Sequence, residues 1–208
     1  DLKALRRSVG LSFQQPEDQF FEQYVGDEVA FAARNFEIDE KISIVVEKAM
    51  RAVGLDFELF KDRLIATLSG GERRKAALAS VLAGQPRILL LDEPLAGLDP
   101  ISRQEVCGHL LELKKQGITL VISTHQYEGV IEMIEEISLF ANGKDKVHGL
   151  PENLFFDSRD FKNYGIQPPL ASRIAEHLRQ LGWPITSGII SINELINSTS
   201  SLVSKGLK

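Results

Sequence analysis

Short apolar runs alternate with helical patterns along the chain. The runs predict three strands, at 9–13, 88–91 and 118–123. The run 88–91 is entirely aliphatic, which is typical of a strand buried on both faces of a parallel sheet, and we expect 118–123 to be a second buried strand. Apolar residues at helical spacing over 42–53 predict an amphipathic helix, and Gly54 suits its C-terminus.

Two further helices are indicated by the residues that would open them. The sequence Leu-Ser-Gly-Gly at 68–71 predicts a turn at the start of a helix that extends to about Gln85. Asp99 and Pro100 have the properties of a cap and a first turn, which predicts a helix as far as residue 116. The succession of strand, helix and strand predicts a parallel sheet with helical crossovers, so the fold class is α/β.

The pattern changes toward the C-terminus. Asn142-Gly143 between two short apolar segments predicts a β-hairpin, which we expect at one edge of the sheet. A helix is predicted at 170–181, and Ser191 with Glu194 resembles a capping box that opens another short helix. We therefore expect a main domain over 1–149 and a small region over 150–208, with a frayed end.

Composition narrows the possible environments. The 208 residues carry a net charge of −5 without a basic stripe, which argues against nucleic acid as the main partner. Cys107 is the only cysteine, so no disulfide framework exists and a reducing, cytosolic compartment is expected. No apolar run approaches the roughly 20 residues of a membrane-spanning helix, so we expect any membrane role to be peripheral. The first residues resemble no signal peptide and include no Met, so we expect the chain to begin within a domain.

Polar residues follow each predicted strand. Gln14 follows the first, Asp92 and Glu93 follow the second, and Thr124 with His125 follows the third. Ligands of open parallel sheets bind beyond the carboxyl ends of the strands, so these residues should converge on one crevice. Each has a simpler reading as a turn residue, an acidic loop or a structural histidine. Their coincidence at three equivalent strand ends favours a site.

Two local arrangements suit phosphate chemistry. Asp92 and Glu93 are adjacent at a strand end, where neighbouring side chains point in different directions, so one can serve a cation and the other a water molecule. Ser69, Gly70 and Gly71 offer backbone N–H groups at a helix N-terminus, which suits a phosphate. A plain helix start with a serine cap would look the same.

Five motifs together resemble the ATPases of ABC transporters. They occur in family order and are the Q-loop glutamine Gln14, the signature Leu68-Ser69-Gly70-Gly71-Glu72, the Walker B segment Ile88–Pro94, the D-loop Leu95–Asp99 and the switch histidine in Ser123-Thr124-His125. The resemblance implies a P-loop-NTPase-like core with a mainly parallel sheet and a helical signature subdomain at about 19–85. Glu72 stands where the family most often has Gln, a variant that we regard as tolerated.

A narrower resemblance is to the energy-coupling-factor group, whose paired ATPases drive the uptake of vitamins or of cobalt and nickel ions. Phe-Gln-Gln-Pro-Glu-Asp-Gln-Phe at 13–20 and Asp-Glu-Val-Ala-Phe at 27–31 carry it. The segment 149–197 is similar to the small C-terminal α/β appendage of those ATPases.

The resemblance implies a role for each site residue, with ATP and Mg²⁺ as cofactors. Glu93 would orient or activate water, Asp92 and Gln14 would hold Mg²⁺, and His125 would contact the γ-phosphate. The signature residues and Asp99 would act across the interface with a second ABC ATPase, in a homodimer or heterodimer; they are Ser69, Gly70, Gly71, Glu72 and Asp99. These roles fit phosphoryl transfer, in which positioning and charge stabilisation carry most of the catalysis.

The other implied partners are integral membrane transporter subunits, which would place the chain at the cytoplasmic face of the membrane. The aromatic residues Phe20, Phe21 and Tyr24 after the Q-loop would supply apolar surface for them, or would belong to the core.

One family motif is absent from these residues. The Walker A pattern G-x-x-x-x-G-K-[ST] does not occur, since the only Gly-Lys pair, Gly143-Lys144, precedes Asp145. We expect its strand and helix to precede Asp1, and this chain alone to be inactive. One alternative is a soluble ABC ATPase of DNA repair or chromosome structure, which predicts a long coiled coil between Gln14 and Ser69. Another is a non-enzymatic fragment.

Overall fold

The computed structural model describes residues 2–156 and 164–204. The chain divides into two compact units, Asp1–Gly129 and Val130–Lys208. This division falls earlier in the sequence than the boundary expected after residue 149. The four C-terminal residues, predicted to be frayed, lie outside the described part.

The first unit alternates helices with three strands. Its elements are α1 (Leu2–Ser8), β1 (Val9–Ser12), α2 (Val25–Asn35), α3 (Ile42–Ala52), α4 (Phe57–Phe60), α5 (Gly70–Leu82), β2 (Ile88–Asp92), α6 (Pro100–Lys115) and β3 (Thr119–Ser123). Short 3₁₀ turns lie at Pro16–Gln19, Ile65–Thr67 and Tyr127–Gly129.

The three strands form a parallel sheet in the order β1-β2-β3. Leu90 of β2 pairs with Leu11 of β1 on one side and with Val121 of β3 on the other. Helices connect the parallel strands, as the geometry of such a sheet requires. The α/β fold class with a parallel sheet is confirmed, and all three strands end at the same edge.

Burial in the sheet differs from the prediction. In β2, Leu89 and Leu91 are buried, whereas Ile88 and Leu90 on the other face are only partly buried. Among the described residues, the expectation that 118–123 is a second buried strand is wrong, because β3 has a neighbouring strand on one side only and Val121 is 52% exposed. An apolar run records side-chain type, and it cannot record which neighbours cover the strand.

Helices α2, α3 and α5 pack on one another and hold much of the core of this unit. The predicted amphipathic helix is α3, which buries four apolar side chains; they are Val45, Val46, Ala49 and Met50. It ends before Gly54, whose φ of +72° places it in the left-handed region. Between Gln14 and Ser69, α2 and α3 have 11 residues each and α4 has 4. That stretch is fully described and holds no long coiled coil, contrary to the DNA-repair alternative.

The described residues of the second unit form a hairpin and three α-helices. They are β4 (Ile137–Ala141), β5 (Lys144–Gly149), α7 (Pro151–Phe156), α8 (Leu170–Gln180) and α9 (Ile192–Ser204). The predicted hairpin is confirmed, and Asn142 and Gly143 both have positive φ, as a type I′ turn requires. The expectation that it joins the edge of the larger sheet is wrong, because β4 and β5 form a two-stranded sheet of their own.

Local capping and a small core hold the second unit together. The Ser191 hydroxyl accepts the Glu194 N–H at 3.1 Å, and the Glu194 carboxylate accepts the Ser191 N–H at 3.2 Å, which confirms the predicted capping box at α9. The core consists of Ala171, Ala175, Ile185, Ile189 and Leu195. None of the helices in the described part of the chain has the length and apolar character that crossing a bilayer demands.

Candidate functional site

Parallel pairing brings the three polar clusters to one edge of the sheet. Ser12 pairs with Leu91, and Asp92 pairs with Ser123, so the strand ends lie side by side. Gln14 therefore follows β1 at the same edge where Asp92 ends β2 and Thr124 follows β3.

Glu93 is held by its backbone and its side chain. Its φ is +46°, an uncommon left-handed conformation for a non-glycine residue, and its N–H donates to the Ser123 carbonyl at 2.8 Å. The Thr124 hydroxyl donates to Oε2 at 2.9 Å, and the His125 N–H donates to Oε1 at 2.9 Å. The carboxylate is thus fixed at the strand edge by residues that directly follow β3.

The His125 ring makes a third contact with the same carboxylate. Its Nδ1 lies 2.6 Å from Oε1 of Glu93, and its Nε2 lies 3.3 Å from Nε2 of Gln126. The Gln126 amide nitrogen can only donate, so both contacts are satisfied by the neutral tautomer with the proton on Nδ1. The side chain of His125 is 71% exposed, whereas that of Glu93 is only 15% exposed. The ring therefore sits between the carboxylate and solvent.

The pKa of Glu93 reflects two opposing effects. Burial raises it, but the hydrogen bonds from the His125 ring, the Thr124 hydroxyl and the His125 N–H together outweigh burial and leave the pKa below the ordinary value. Glu93 is therefore an anion at neutral pH, with both oxygens oriented. A carboxylate held in this way can accept a hydrogen bond from a water molecule and orient it.

Asp92 and Gln14 are exposed at the same edge of the sheet as Glu93. Within the described ranges, no hydrogen bond engages either side chain, and no cluster of three or more His, Cys, Asp or Glu residues forms a protein-only metal cage. Carboxylate and amide oxygens are hard donors, and Mg²⁺ is usually held by one or two such groups together with water and substrate phosphates. The donor set therefore fits Mg²⁺ that is shared with a phosphate.

The signature turn opens α5 with a capping box. The Ser69 hydroxyl accepts the Glu72 N–H at 3.3 Å, and the Glu72 carboxylate accepts the Ser69 N–H at 2.7 Å. A Cβ built on Gly70 would meet no atom within 4 Å, so the backbone there is open to a ligand. A Cβ on Gly71 would lie 3.1 Å from the Ser102 hydroxyl of α6, so Gly71 allows close packing of the two helices.

Two predicted site residues make mainly local interactions in this chain. The Ser69 N–H and the nearby Arg63 lower the pKa of Glu72, with partial opposition from burial. Asp99 caps α6 by accepting the N–H groups of Ile101 and Ser102, and the Ser102 hydroxyl at 2.6 Å is the largest cause of its lowered pKa. Glu72 and Asp99 thus shape the helix ends beside Ser69 and the D-loop.

Three polar residues that sequence analysis did not single out connect the site to the fold. Gln19 is buried, and its amide donates to the Ala77 carbonyl at 2.7 Å and to the Ser80 hydroxyl at 3.0 Å, which ties the segment after Gln14 to α5. The others are Glu28 and Arg74. A buried polar residue is visible only once its tertiary neighbours are known, and the sequence offers no local signal for it.

An exposed aromatic patch lies after the Q-loop. Phe21 is 74% exposed and stacks on Phe31 with ring centroids 5.0 Å apart, and Tyr24 is also exposed. The carboxylate of the buried Glu28 accepts the N–H groups of Phe21 at 2.8 Å and of Glu22 at 2.9 Å. The buried carboxylate thereby fixes the backbone that presents the patch, whereas Phe20 is partly buried.

Cys107 has no place in this site. Burial raises the pKa of its thiol, which disfavours the reactive thiolate. A partly buried thiol on α6 with a raised pKa fits a small packing residue.

This chain is similar to known proteins over most of its length. Residues 1–96 match the ABC transporter family. The energy-coupling factor transporter ATP-binding protein EcfA2 of Symbiobacterium thermophilum is 36% identical over 197 residues, which cover 94% of this chain and 68% of that protein. EcfA2 of Clostridium tetani is 33% identical over 93% of this chain and 68% of its own length. The structure of cbiO1 from Clostridium perfringens, part of the ABC transporter complex cbiONQ, aligns with a TM-score of 0.68 and 33% identity over 85% of this chain and 69% of that one.

Proposed function

Because this chain belongs to the ABC transporter family, among the ATP-binding subunits of energy-coupling factor transporters, we propose that it binds and hydrolyses ATP to power solute uptake through membrane-embedded subunits. The observation that carries the proposal is the oriented Glu93 carboxylate beside the exposed Asp92 at the edge of a parallel sheet. ATP-binding proteins with parallel sheets place their ligand at this edge.

Glu93 is proposed as the group that orients the attacking water. Its anionic carboxylate is fixed by Thr124 and by the His125 backbone, so it can accept a proton from water without first being positioned. The exposed His125 ring would turn from Oε1 toward the γ-phosphate and donate a hydrogen bond to it. The developing negative charge of phosphoryl transfer would then meet a donor that is already at the site.

Asp92 and Gln14 are proposed to hold Mg²⁺, directly or through water. The ion neutralises charge on the phosphates when it is bound. The exposed carboxylate of Asp92 at the end of β2 and the exposed amide of Gln14 after β1 supply oxygen donors at the ends of two neighbouring strands.

The signature turn is proposed to act on a nucleotide held mainly by a second ATPase subunit. Ser69 can donate its hydroxyl proton outward because the cap uses only the oxygen as an acceptor. The N–H groups at Gly70 and Gly71 and the positive end of the α5 dipole favour a phosphate. Glu72 supports this turn through the capping box, and Asp99 is proposed to reach across the same interface.

The membrane partner is proposed to dock on the aromatic patch of Phe21 and Tyr24, which would place the chain at the cytoplasmic face of a membrane. Exposed aromatic side chains are enriched in protein–protein interfaces.

We assign the ATPase domain to 1–149 and a small C-terminal region to 150–208.

The test is ATP-driven uptake. The full-length protein would be co-purified with its membrane subunits and its partner ATPase, reconstituted in vesicles and supplied with Mg-ATP. We expect ATP hydrolysis and accumulation of a solute, both abolished when Mg²⁺ is chelated. A complex that assembles but neither binds nor hydrolyses ATP would support the non-enzymatic alternative.

A further inference from the structure

Arg74 connects loops that lie far apart in the sequence. It belongs to α5, and only 7% of it is exposed. Its Nη1 donates to the carbonyl of Phe13 at 3.4 Å, and its Nη2 donates to the carbonyl of Ala96 at 3.2 Å. One guanidinium group therefore bonds to the loop after β1 and to the loop after β2.

Each of these carbonyls leads directly to a site residue. Phe13 immediately precedes Gln14. Ala96 donates its own N–H to the carbonyl of Glu93 at 3.1 Å, which closes the turn that follows Glu93. Any displacement of either carbonyl moves a residue that is proposed to act on Mg²⁺ or water.

We propose that Arg74 is a positioning residue that fixes the Gln14 loop and the Glu93 turn relative to each other. This inference rests on the proposed function of that site. Because Arg74 lies on the helix that begins after Ser69, the same side chain links the Q-loop, the D-loop and the signature turn.

The chemistry of the side chain explains why arginine serves here. A guanidinium group presents several N–H donors in a planar fork, so two nitrogens can bond to two carbonyls at once. A lysine has one nitrogen on a flexible stem and cannot hold both carbonyls in the same fixed geometry. The low-dielectric surroundings of a buried side chain strengthen both bonds.

The fold should survive a change at this position. Gln19 still ties the Gln14 loop to α5 through Ala77 and Ser80. Besides Arg74, α5 buries five apolar side chains that the substitution leaves unchanged; they are Ala76, Ala77, Leu78, Ala79 and Leu82. Arg74→Met keeps an unbranched side chain of similar length and removes every donor, and Arg74→Lys keeps the charge. A matched control is Arg34→Ala, since Arg34 is exposed on α2 and pairs with Asp27 at the surface.

The first measurement is amide hydrogen exchange by mass spectrometry. We expect Arg74→Met to raise exchange both in 13–19 and in 93–98, with α2 and α3 unchanged. Arg74→Lys should restore protection in at most one of the two segments, and Arg34→Ala should change neither. Unchanged exchange in either segment overturns the inference, as does a rise across the whole unit, which would indicate a purely structural role.

The second measurement is ATP turnover of the full-length protein in complex with its partner ATPase. We expect Arg74→Met to lower kcat by at least about tenfold, since it removes two charge-assisted hydrogen bonds and the loss of one is worth about that factor, while KM for ATP stays within about twofold. Arg74→Lys should fall between the two, and Arg34→Ala should match the unsubstituted complex. An unchanged kcat in Arg74→Met overturns the inference. If the unsubstituted complex hydrolyses no ATP, the proposed function fails, and hydrogen exchange still decides the link made by Arg74.

Discussion

His125 holds one oxygen of Glu93 in two ways, through its ring Nδ1 at 2.6 Å and through its backbone N–H at 2.9 Å. The ring is exposed, so it can turn away by rotation of its side chain. The backbone N–H would still donate to Glu93 and keep its carboxylate in place. If His125 contacts the γ-phosphate as we propose, its ring can change partners while its backbone N–H still holds Glu93.

Glu93→Gln should lower ATP turnover by at least about a hundredfold, the scale of a positioned general base, and should leave ATP binding largely intact. The glutamine amide cannot accept a proton from water. Its NH₂ group would also face a donor, either the Thr124 hydroxyl or the His125 N–H, in place of one carboxylate oxygen. Turnover and nucleotide affinity would be measured in the full-length complex. Glu58→Gln on the exposed α4 is the control and should behave as the unsubstituted protein. Near-normal turnover of Glu93→Gln would assign the role elsewhere.

Thr124→Val should raise the pKa of Glu93, because it removes the hydroxyl that donates to Oε2 and leaves burial unopposed on that side. A depressed carboxyl pKa stabilises the fold above the unfolded-state pKa, and this contribution is lost as pH falls through the folded-state pKa. In Thr124→Val this contribution should therefore be smaller, and its loss should be complete at a higher pH. The measurement is the carboxyl ¹³C titration of Glu93, with Thr119→Val on β3 as the isosteric control. An identical titration midpoint in Thr124→Val and the unsubstituted protein contradicts this account.

His125→Ala should impair hydrolysis without unfolding the protein. The ring is largely exposed, so its removal costs little packing, and the backbone N–H bond to Glu93 remains. We expect a loss of at least about tenfold in kcat, the range of a lost transition-state donor, with an unchanged circular dichroism spectrum. His148→Ala on the exposed hairpin is the control. A variant that loses its folded spectrum along with its activity would indicate a structural histidine.

Ser69→Arg should abolish stimulation of a partner ATPase that carries its own Walker A loop. The substitution removes the hydroxyl and places a bulky cation at the N-terminus of α5, where a phosphate must approach the open Gly70. The measurement is ATP turnover of the partner, titrated with this chain or with its Ser69→Arg form.

The control for this titration is Asp56→Arg, because Asp56 is also an exposed N-cap, and its carboxylate accepts the Leu59 N–H at the start of α4. Loss of a helix cap costs about 1 kcal/mol in either variant, so a difference between them reports on the signature turn. Equal stimulation of the partner's ATP turnover by the unsubstituted chain and by its Ser69→Arg form would mean that the signature turn does not act on a nucleotide held by the partner.

Glu28→Ala should destabilise the protein by about 1–3 kcal/mol, because it removes the buried carboxylate that accepts the N–H groups of Phe21 and Glu22. It should also weaken binding of the membrane subunits, since the aromatic patch loses its fixed backbone. Urea unfolding gives the first quantity, and co-purification with the membrane subunits gives the second. Asp27→Ala, at the neighbouring exposed position, should change neither by more than a few tenths of a kcal/mol. Intact membrane-subunit binding by a destabilised Glu28→Ala would separate the patch from docking.

The local features of this chain could be predicted from sequence because local chemistry determines them. The caps at Ser69, Asp99 and Ser191 and the turn at Asn142-Gly143 each depend on residues within three or four positions of one another. The shared edge of the three strands followed from their expected parallel pairing, and the structure confirms that pairing.

The remaining features depend on tertiary neighbours. The exposure of Val121 follows from the edge position of β3, which the apolar run could not reveal. The hydrogen bonds of Arg74 join residues that are 61 and 22 positions apart in the sequence, so no local sequence pattern can predict them. The left-handed backbone of Glu93 is likewise invisible in a motif that reads as a plain strand end.

The edge position of β3 also affects the tendency of this chain to self-associate in solution. In the described part of this chain, β3 pairs on one side only, so its other side offers backbone groups and the exposed side chain of Val121 to another copy of the same chain. Light scattering by the 208-residue chain should therefore rise steeply with concentration. Val121→Lys should shift the rise in scattering to a higher concentration, because it places a charge on this edge. The concentration at which the chain begins to associate would then show whether β3 is uncovered.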